Sequence, residues 1–213
     1  MNKIKLVTMV IVAISFIVGA YFYSRMPDMM ASHWNYRGEV DGYMPRFWGI
    51  FFLPALSVFL VALFFLIPKI DPLRANVEKF RKDFDIFVLM FEIFFFYLYL
   101  LTISWSLGAR FDMTAAMLPA MGILFYSVGA MISKARRNFF IGIRTPWTLS
   151  SDKVWDKTHA LGGRLFKGVG VVTFLGFLAP AYAIFFIFVP IVSISIYLTV
   201  YSYLEFDKEK KKK

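Results

Sequence analysis

The chain has 213 residues, 59% of them hydrophobic and 26 of them phenylalanine, with a mean hydropathy of +0.64. Soluble domains run nearer about 45–50% apolar, so this is the composition of a chain kept in lipid. There is no cysteine, which excludes disulfides, thiolate metal sites and thiol catalysis. The net charge of +10 comes from bases that flank apolar runs, where anionic headgroups attract them, and does not point to direct nucleic-acid binding.

The first apolar run, Leu6–Tyr23, follows Lys3 and Lys5. It is longer than the apolar core of a signal peptide, about 7–15 residues, and no small-x-small cleavage site follows before Arg25. It reads as a retained first span. The loop Ser24–Arg46 sets Arg25, Arg37 and Arg46 against Asp28, Glu39 and Asp41, so its charges cancel. Trp34, Tyr36, Tyr43 and Trp48 suit the headgroup layer. The loop is expected to be turn-rich, and His33, Asn35 and Asp41 are candidates to meet around a ligand. One histidine with scattered carboxylates has no metal-ligand spacing, so no metal or other cofactor is expected.

A helical span needs about 20 apolar residues. Phe47–Ile67 is the second, with Pro54 inside it and Pro68 as its expected stop. Ile86–Leu107 is the third and carries Glu92. A carboxylate inside a span is expensive and functional by default. Asp85, Glu92, Tyr99 and Ser106 recur at heptad spacing and form a polar stripe down one side, which should face protein or water. Lys167 is a candidate ion-pair partner for Glu92. Met113–Ser133 is the fourth span, and in it Ala115, Gly122 and Gly129 recur every heptad, a thin seam suited to close helix approach.

The longest non-apolar interval follows. Pro146 keeps Thr145 extended, and Ser150 or Ser151 can cap a new helix with Asp152 at its positive end. Gly162-Gly163 is expected to stop that helix in a left-handed turn. Between cap and stop, Val154, Trp155, Thr158, His159 and Leu161 share one broad face. The segment therefore reads as a short amphipathic helix at a membrane surface, with Arg144, Lys157 and His159 as donors. A Ser151–His159 nucleophile pair is excluded by about 12 Å of helix rise, so the chain is not read as an enzyme. The last apolar run, Gly168–Leu204, fits two spans turning at Ala179-Pro180-Ala181, the fifth starting near Leu165.

Six spans with the amino terminus in the cytoplasm put most of the 24 lysines and arginines on the cytoplasmic side, leaving Arg25, Arg37, Arg46 and Arg110 outside. This follows the positive-inside rule. The expected protein is an all-α polytopic integral membrane protein with six transmembrane helices and both termini cytoplasmic, in a bacterial cell (inner) membrane. Residues 1–70 form a two-helix unit with the outer loop, 71–206 a four-helix membrane domain, and 207–213 a disordered basic tail drawn to anionic lipid.

The run GIRTPWTLSSDKVWDKTH, from Gly142 to His159, resembles the signature of the SdpI family of bacterial membrane proteins. Pro27-Asp28, His33-Trp34-Asn35, Gly38 and Asp41-Gly42-Tyr43 resemble the short domain of unknown function that precedes it in that family. The resemblance implies protection of the membrane from a hydrophobic peptide toxin and capture of a cytoplasmic transcriptional repressor when toxin is present. The implied ligand loop is His33, Trp34, Asn35, Gly38, Asp41 and Tyr43. The implied cytoplasmic motif is Arg144, Thr145, Pro146, Trp147, Thr148, Ser151, Trp155, Lys157, Thr158 and His159. Two other readings stay open: a small proton- or cation-coupled carrier using Glu92, and a membrane enzyme working at headgroup level.

Overall fold

The computed structural model describes residues 2–35 and 37–212; Tyr36 lies outside the described residues. Asn2 caps the first helix, its side chain accepting from the Ile4 N–H at 2.7 Å, and α1 runs Lys3–Phe22 into a 3-10 turn ending at Arg25. Two antiparallel strands follow, β1 (Met29–Trp34) and β2 (Val40–Pro45). This corrects the expected turn-rich loop: the segment is a hairpin, with a bulge between Ala31 and Trp34. Pro45 then starts α2, Arg46–Ile70. Its helix passes through Pro68, expected as a stop; so near the end of a helix a missing N–H costs a single bond.

A short α3 (Arg74–Glu78) leads to α4, Arg81–Ser106, which carries the polar stripe. Asp112 caps α5, Met113–Ile132, by accepting from the Ala115 N–H. The one-turn α6 (Pro146–Ser150) begins with Thr145 and Thr148 in a capping box, each side chain bonded to the other's backbone N–H. Ser151 caps α7, which spans Asp152–Leu175 without interruption. The expected short surface helix stopping at Gly162-Gly163 is therefore corrected. Both glycines are helical, and positive φ is confined to Gly38, Gly108 and Gly142 among the described residues. Two 3-10 turns flank Ala179, as the Ala179-Pro180-Ala181 turn requires, and α8 runs Ala183–Lys210. Most of the expected disordered tail is thus the last turn of α8.

Among the described residues, six helical segments are long and apolar enough to cross a membrane. Their outward residues are apolar: Ile17, Phe59 and Phe188 are each more than 60% exposed, as lipid-facing side chains must be.

The tightest helix pair is α5 with α7, and glycine is the reason. A Cβ placed on Gly122 would lie 2.5 Å from the Phe174 backbone nitrogen, and one on Gly170 would lie 2.6 Å from the Gly122 carbonyl oxygen. Toward the other end, Gly129 meets Gly163 and Lys167 in the same way. The heptad seam read from Gly122 and Gly129 is real, and Gly163 is its partner rather than a helix stop. Without a hydrophobic force between helices in lipid, such close backbone contact is what holds them together.

Candidate functional site

The hairpin crowns one end of the bundle. Met30 is fully buried against α2, where Gly49 leaves it room: a Cβ there would sit 2.7 Å from the Met30 side chain. Trp34 packs edge-on against Trp105 of α4 with centroids 5.9 Å apart. Arg46 ties the base of the hairpin to Asp28 through side chain and backbone.

The structure brings His33 and Asp41 together, the imidazole Nδ1 lying 2.5 Å from a carboxylate oxygen across the strands. Gly42 permits this, since a Cβ there would lie 2.9 Å from that of His33. Asn35 does not join them. Its side-chain oxygen accepts from the Arg37 and Glu39 N–H groups and its amide donates to Glu39. Asn35 and Gly38, at φ +76°, therefore build the turn, and Tyr43 and Trp48 point outward, more than half exposed.

Beneath the hairpin lies a cavity of about 370 Å³, lined by Trp34, Met44, Leu98, Met113, Met117 and Met121 among others. Its wall is largely apolar, with Ser32, His33, Asn35, Thr102 and Thr114 at the polar places and Ile187 of α8 on one flank. Methionine side chains are flexible and polarizable and adapt to varied apolar shapes. The Trp34 indole N–H is buried and has no acceptor among the described residues. The cavity can thus take an apolar group, with the Trp34 side chain in its wall.

The α4 stripe is buried as its spacing demanded. Asp85, Glu92 and Tyr99 are each 1% exposed, against α1 positions that include Thr8, Val12, Ser15 and Gly19. Ser106 is half-buried and spends its hydroxyl on the Thr102 carbonyl. Asp85 is paired, accepting from Arg81 and Asn2 at 3.0 Å with Lys5 at 3.9 Å. Glu92 is not: neither carboxyl oxygen has a hydrogen bond among the described residues, although Ser57 of α2 lies beside it. Lys167 is not its partner. That lysine lies against Gly129, its ammonium 5.8 Å from the Tyr126 ring.

At the opposite end, the motif residues form an interlocked knot. Trp155 is fully buried and donates its indole N–H to the Ala135 carbonyl at 2.8 Å. His159 stacks on it with centroids 3.9 Å apart. The Ile143 N–H donates to His159 Nε2, so Nδ1 must carry the proton it gives to the Trp155 carbonyl. That fixes a neutral tautomer. Gly142, at φ +109°, passes so close that a Cβ would lie 2.4 Å from Nε2. Thr148 donates to the Ile143 carbonyl, and Thr158 is wholly buried.

The C-terminal part of α8 covers the knot. Thr145 shares a hydrogen bond with Ser202, Ser151 donates to Glu209 at 2.6 Å, Trp147 meets Tyr203 edge-on, and Lys157 pairs with Glu205. Of the motif, Arg144, Pro146 and Lys157 remain exposed, and Trp147 and Ser151 are partly accessible. His33 lines the apolar cavity, whereas Glu92 and Arg144 do not.

Residues 134–202, which contain this knot, match the model of the SdpI/YfhL protein family, and residues 10–58, which contain the hairpin, match a domain of unknown function, DUF1648. Over residues 134–202 the chain is similar to that family. It is 24% identical over 210 residues to Immunity protein SdpI of Bacillus subtilis (strain 168), with 97% of each chain covered. No solved structure matches it. This similarity and the six apolar helices found among the described residues together make it a multi-pass cell-membrane protein.

Two residues that hold the knot gave no signal in the sequence. Asn138 is fully buried and makes four hydrogen bonds, accepting from the Phe140 and Ile141 N–H groups and donating to the Arg136 and Ile141 carbonyls. Asp71, 2% exposed, accepts from the Leu73 and Phe139 N–H groups and so bridges the α2–α3 turn to the motif loop. Each is a single polar residue in a loop, where no periodicity marks it.

Proposed function

We propose that this protein is a membrane immunity protein that takes up a hydrophobic peptide toxin at the hairpin end. The observation that carries the reading is the methionine-lined cavity beneath the hairpin, with its unpaired Trp34 donor and the His33–Asp41 pair nearby. Kinship with a protein named for immunity supports it. An apolar peptide side chain fills the cavity, and a backbone carbonyl accepts from Trp34. The hairpin faces outward and both termini face the cytoplasm, in keeping with the positive-inside rule.

In this reading the two-helix unit with the hairpin supplies capture and the four-helix unit that follows carries the response, with the end of α8 clasping the knot. Arg144, Pro146, Trp147 and Lys157 offer the surface a cytoplasmic repressor meets. A ligand drives such a response only by binding two states with different affinity, and Ile187 gives it a lever, since α8 both flanks the cavity and covers the knot. Expression in a strain lacking its own SdpI, challenged with the sporulation-delaying peptide, tests the role. Survival is expected, with loss of protection for Met117→Trp, which fills the cavity. Killing unchanged by the wild-type protein, present at normal levels in the membrane, overturns it.

A second reading follows from the unpartnered Glu92. A buried carboxyl with both oxygens unsatisfied suits a proton site. Proton flux in proteoliposomes that disappears in Glu92→Gln supports a carrier; equal, absent flux in both proteins removes that reading.

A further inference from the structure

The lipid-facing side of the α5–α7 pair carries a second cavity, a groove of about 180 Å³ walled by Gly122, Ile123, Tyr126, Gly170, Val171 and Phe174. The wall is apolar, and Ile123, Tyr126 and Val171 are each about half exposed, so the groove opens outward. Apolar along its length and open to the side, it suits a hydrocarbon chain.

The end of the groove nearest the motif is cationic. Lys167 lies there, its stem against Gly129 and its ammonium 5.8 Å from the Tyr126 ring. About one turn along, Gly163 meets Ser133 closely enough that a Cβ would lie 2.6 Å from the serine's. Arg164, seven residues before the groove residue Val171 and so on the same side of α7, is exposed, as is Lys134 just past the end of α5, which also borders a cleft with Arg136 and Asp156. The surrounding cations are neutralised: Arg136 by Asp156, Arg137 by Asp152 and Lys157 by Glu205. Lys134, Arg164 and Lys167 have no carboxylate within ion-pair distance among the described residues. They stand just where α5 ends and the apolar part of α7 begins, the level of the headgroups.

We propose that this is a binding site for one anionic phospholipid. The phosphate sits among Lys134, Arg164 and Lys167, and one acyl chain lies along the groove past Tyr126 toward Phe174. The groove supplies apolar contact to any lipid, and the three unneutralised charges supply the preference for an anionic one. Each near-surface cation contributes about a fivefold preference, hence on the order of 100-fold for three. A lipid held there covers the line where α5 and α7 touch and braces the pair against separation. The site is independent of toxin capture at the other end of the molecule.

The test is native mass spectrometry of the full chain released from nanodiscs of equal phosphatidylglycerol and phosphatidylcholine. The wild-type protein should retain one phosphatidylglycerol in preference to phosphatidylcholine. Lys134→Gln/Arg164→Gln/Lys167→Gln should lose that preference, and Val171→Trp, which fills the groove with the cations intact, should lose the retained lipid. Circular dichroism confirms that each variant is folded, and if the triple variant is not, the groove variant decides. Equal retention of both lipids by the wild-type protein overturns the proposal. So does a phosphatidylglycerol preference that survives in the folded triple variant, or retention unchanged in Val171→Trp.

Discussion

At Gly142 the chain must take a left-handed backbone, φ +109°, and pass His159 with no space for a side chain. Both demands act on the same atom, so Gly142→Ala meets backbone strain and a clash with Nε2 together. Strained positive φ alone costs about 1–3 kcal/mol, and thermal unfolding in detergent should show a loss of at least that size. A melting curve unchanged from wild type would mean that the His159 ring is not held where it is described. Asn138→Ala strips four hydrogen bonds from a fully buried site. Leaving buried backbone groups unpaired costs about 1–3 kcal/mol each, so this variant should be among the least stable in the loop. His33 is the opposite case. Its pair with Asp41 is exposed, at 69% and 45% of the two side chains, and exposed pairs contribute about 0–1 kcal/mol. His33→Ala should melt as wild type does. If the proposed toxin capture is right, it should nevertheless protect cells less well, and a stable variant with full protection would remove His33 from the ligand site.

Between elements, the glycines of α5 and α7 make a matched pair of predictions. Gly122 faces α7 backbone at 2.5 Å, whereas Gly168, on the same helix as its partner Gly170, has nothing within 4 Å of a Cβ. Overpacking costs about 1–3 kcal/mol, while replacing an unconstrained helical glycine by alanine gains up to about 1 kcal/mol. Gly122→Ala should therefore lower the melting temperature and Gly168→Ala should hold or raise it; the reverse order would mean the helices meet on another face. The α8 clasp is electrostatic at its end. Glu205, 6% exposed on its side chain, binds both Lys157 and Lys208. Glu205→Ala should free the last turns, read as faster tryptic cleavage after Lys208 and Lys210 with the rest of the chain still protected.

Across the whole molecule, much of the architecture is legible from local pattern, because lipid imposes length and hydropathy on each crossing and proline marks the turn at 180. The failures share a cause. MMASHW and VDGYMP carry few β-branched residues and no alternation, so nothing local announces a hairpin; pairing across Gly42 and packing of Met30 on Gly49 make it. Gly162-Gly163 has the composition of a stop, and only the presence of Gly129 on another helix turns Gly163 into a contact. The motif's residues are contiguous in sequence, but their packing depends on Asp71, Ser202 and Glu209, distant in sequence. What the contacts join is ends: the hairpin to Trp105, and the motif loop to Asp71, Asn76 and the tail of α8. The two proposed sites thus lie at opposite ends of the helices, and the proposed function puts the hairpin on the outside. Because the chain has no cysteine, single cysteines report this cleanly. Tyr43→Cys, on an exposed hairpin position, should react with a membrane-impermeant maleimide on intact cells. Ser150→Cys, exposed beside the knot, should react only after the membrane is opened. Labelling of both in intact cells, or of Ser150→Cys alone, would remove the ground for assigning capture to one end and response to the other, because a toxin arriving from outside would meet the wrong surface.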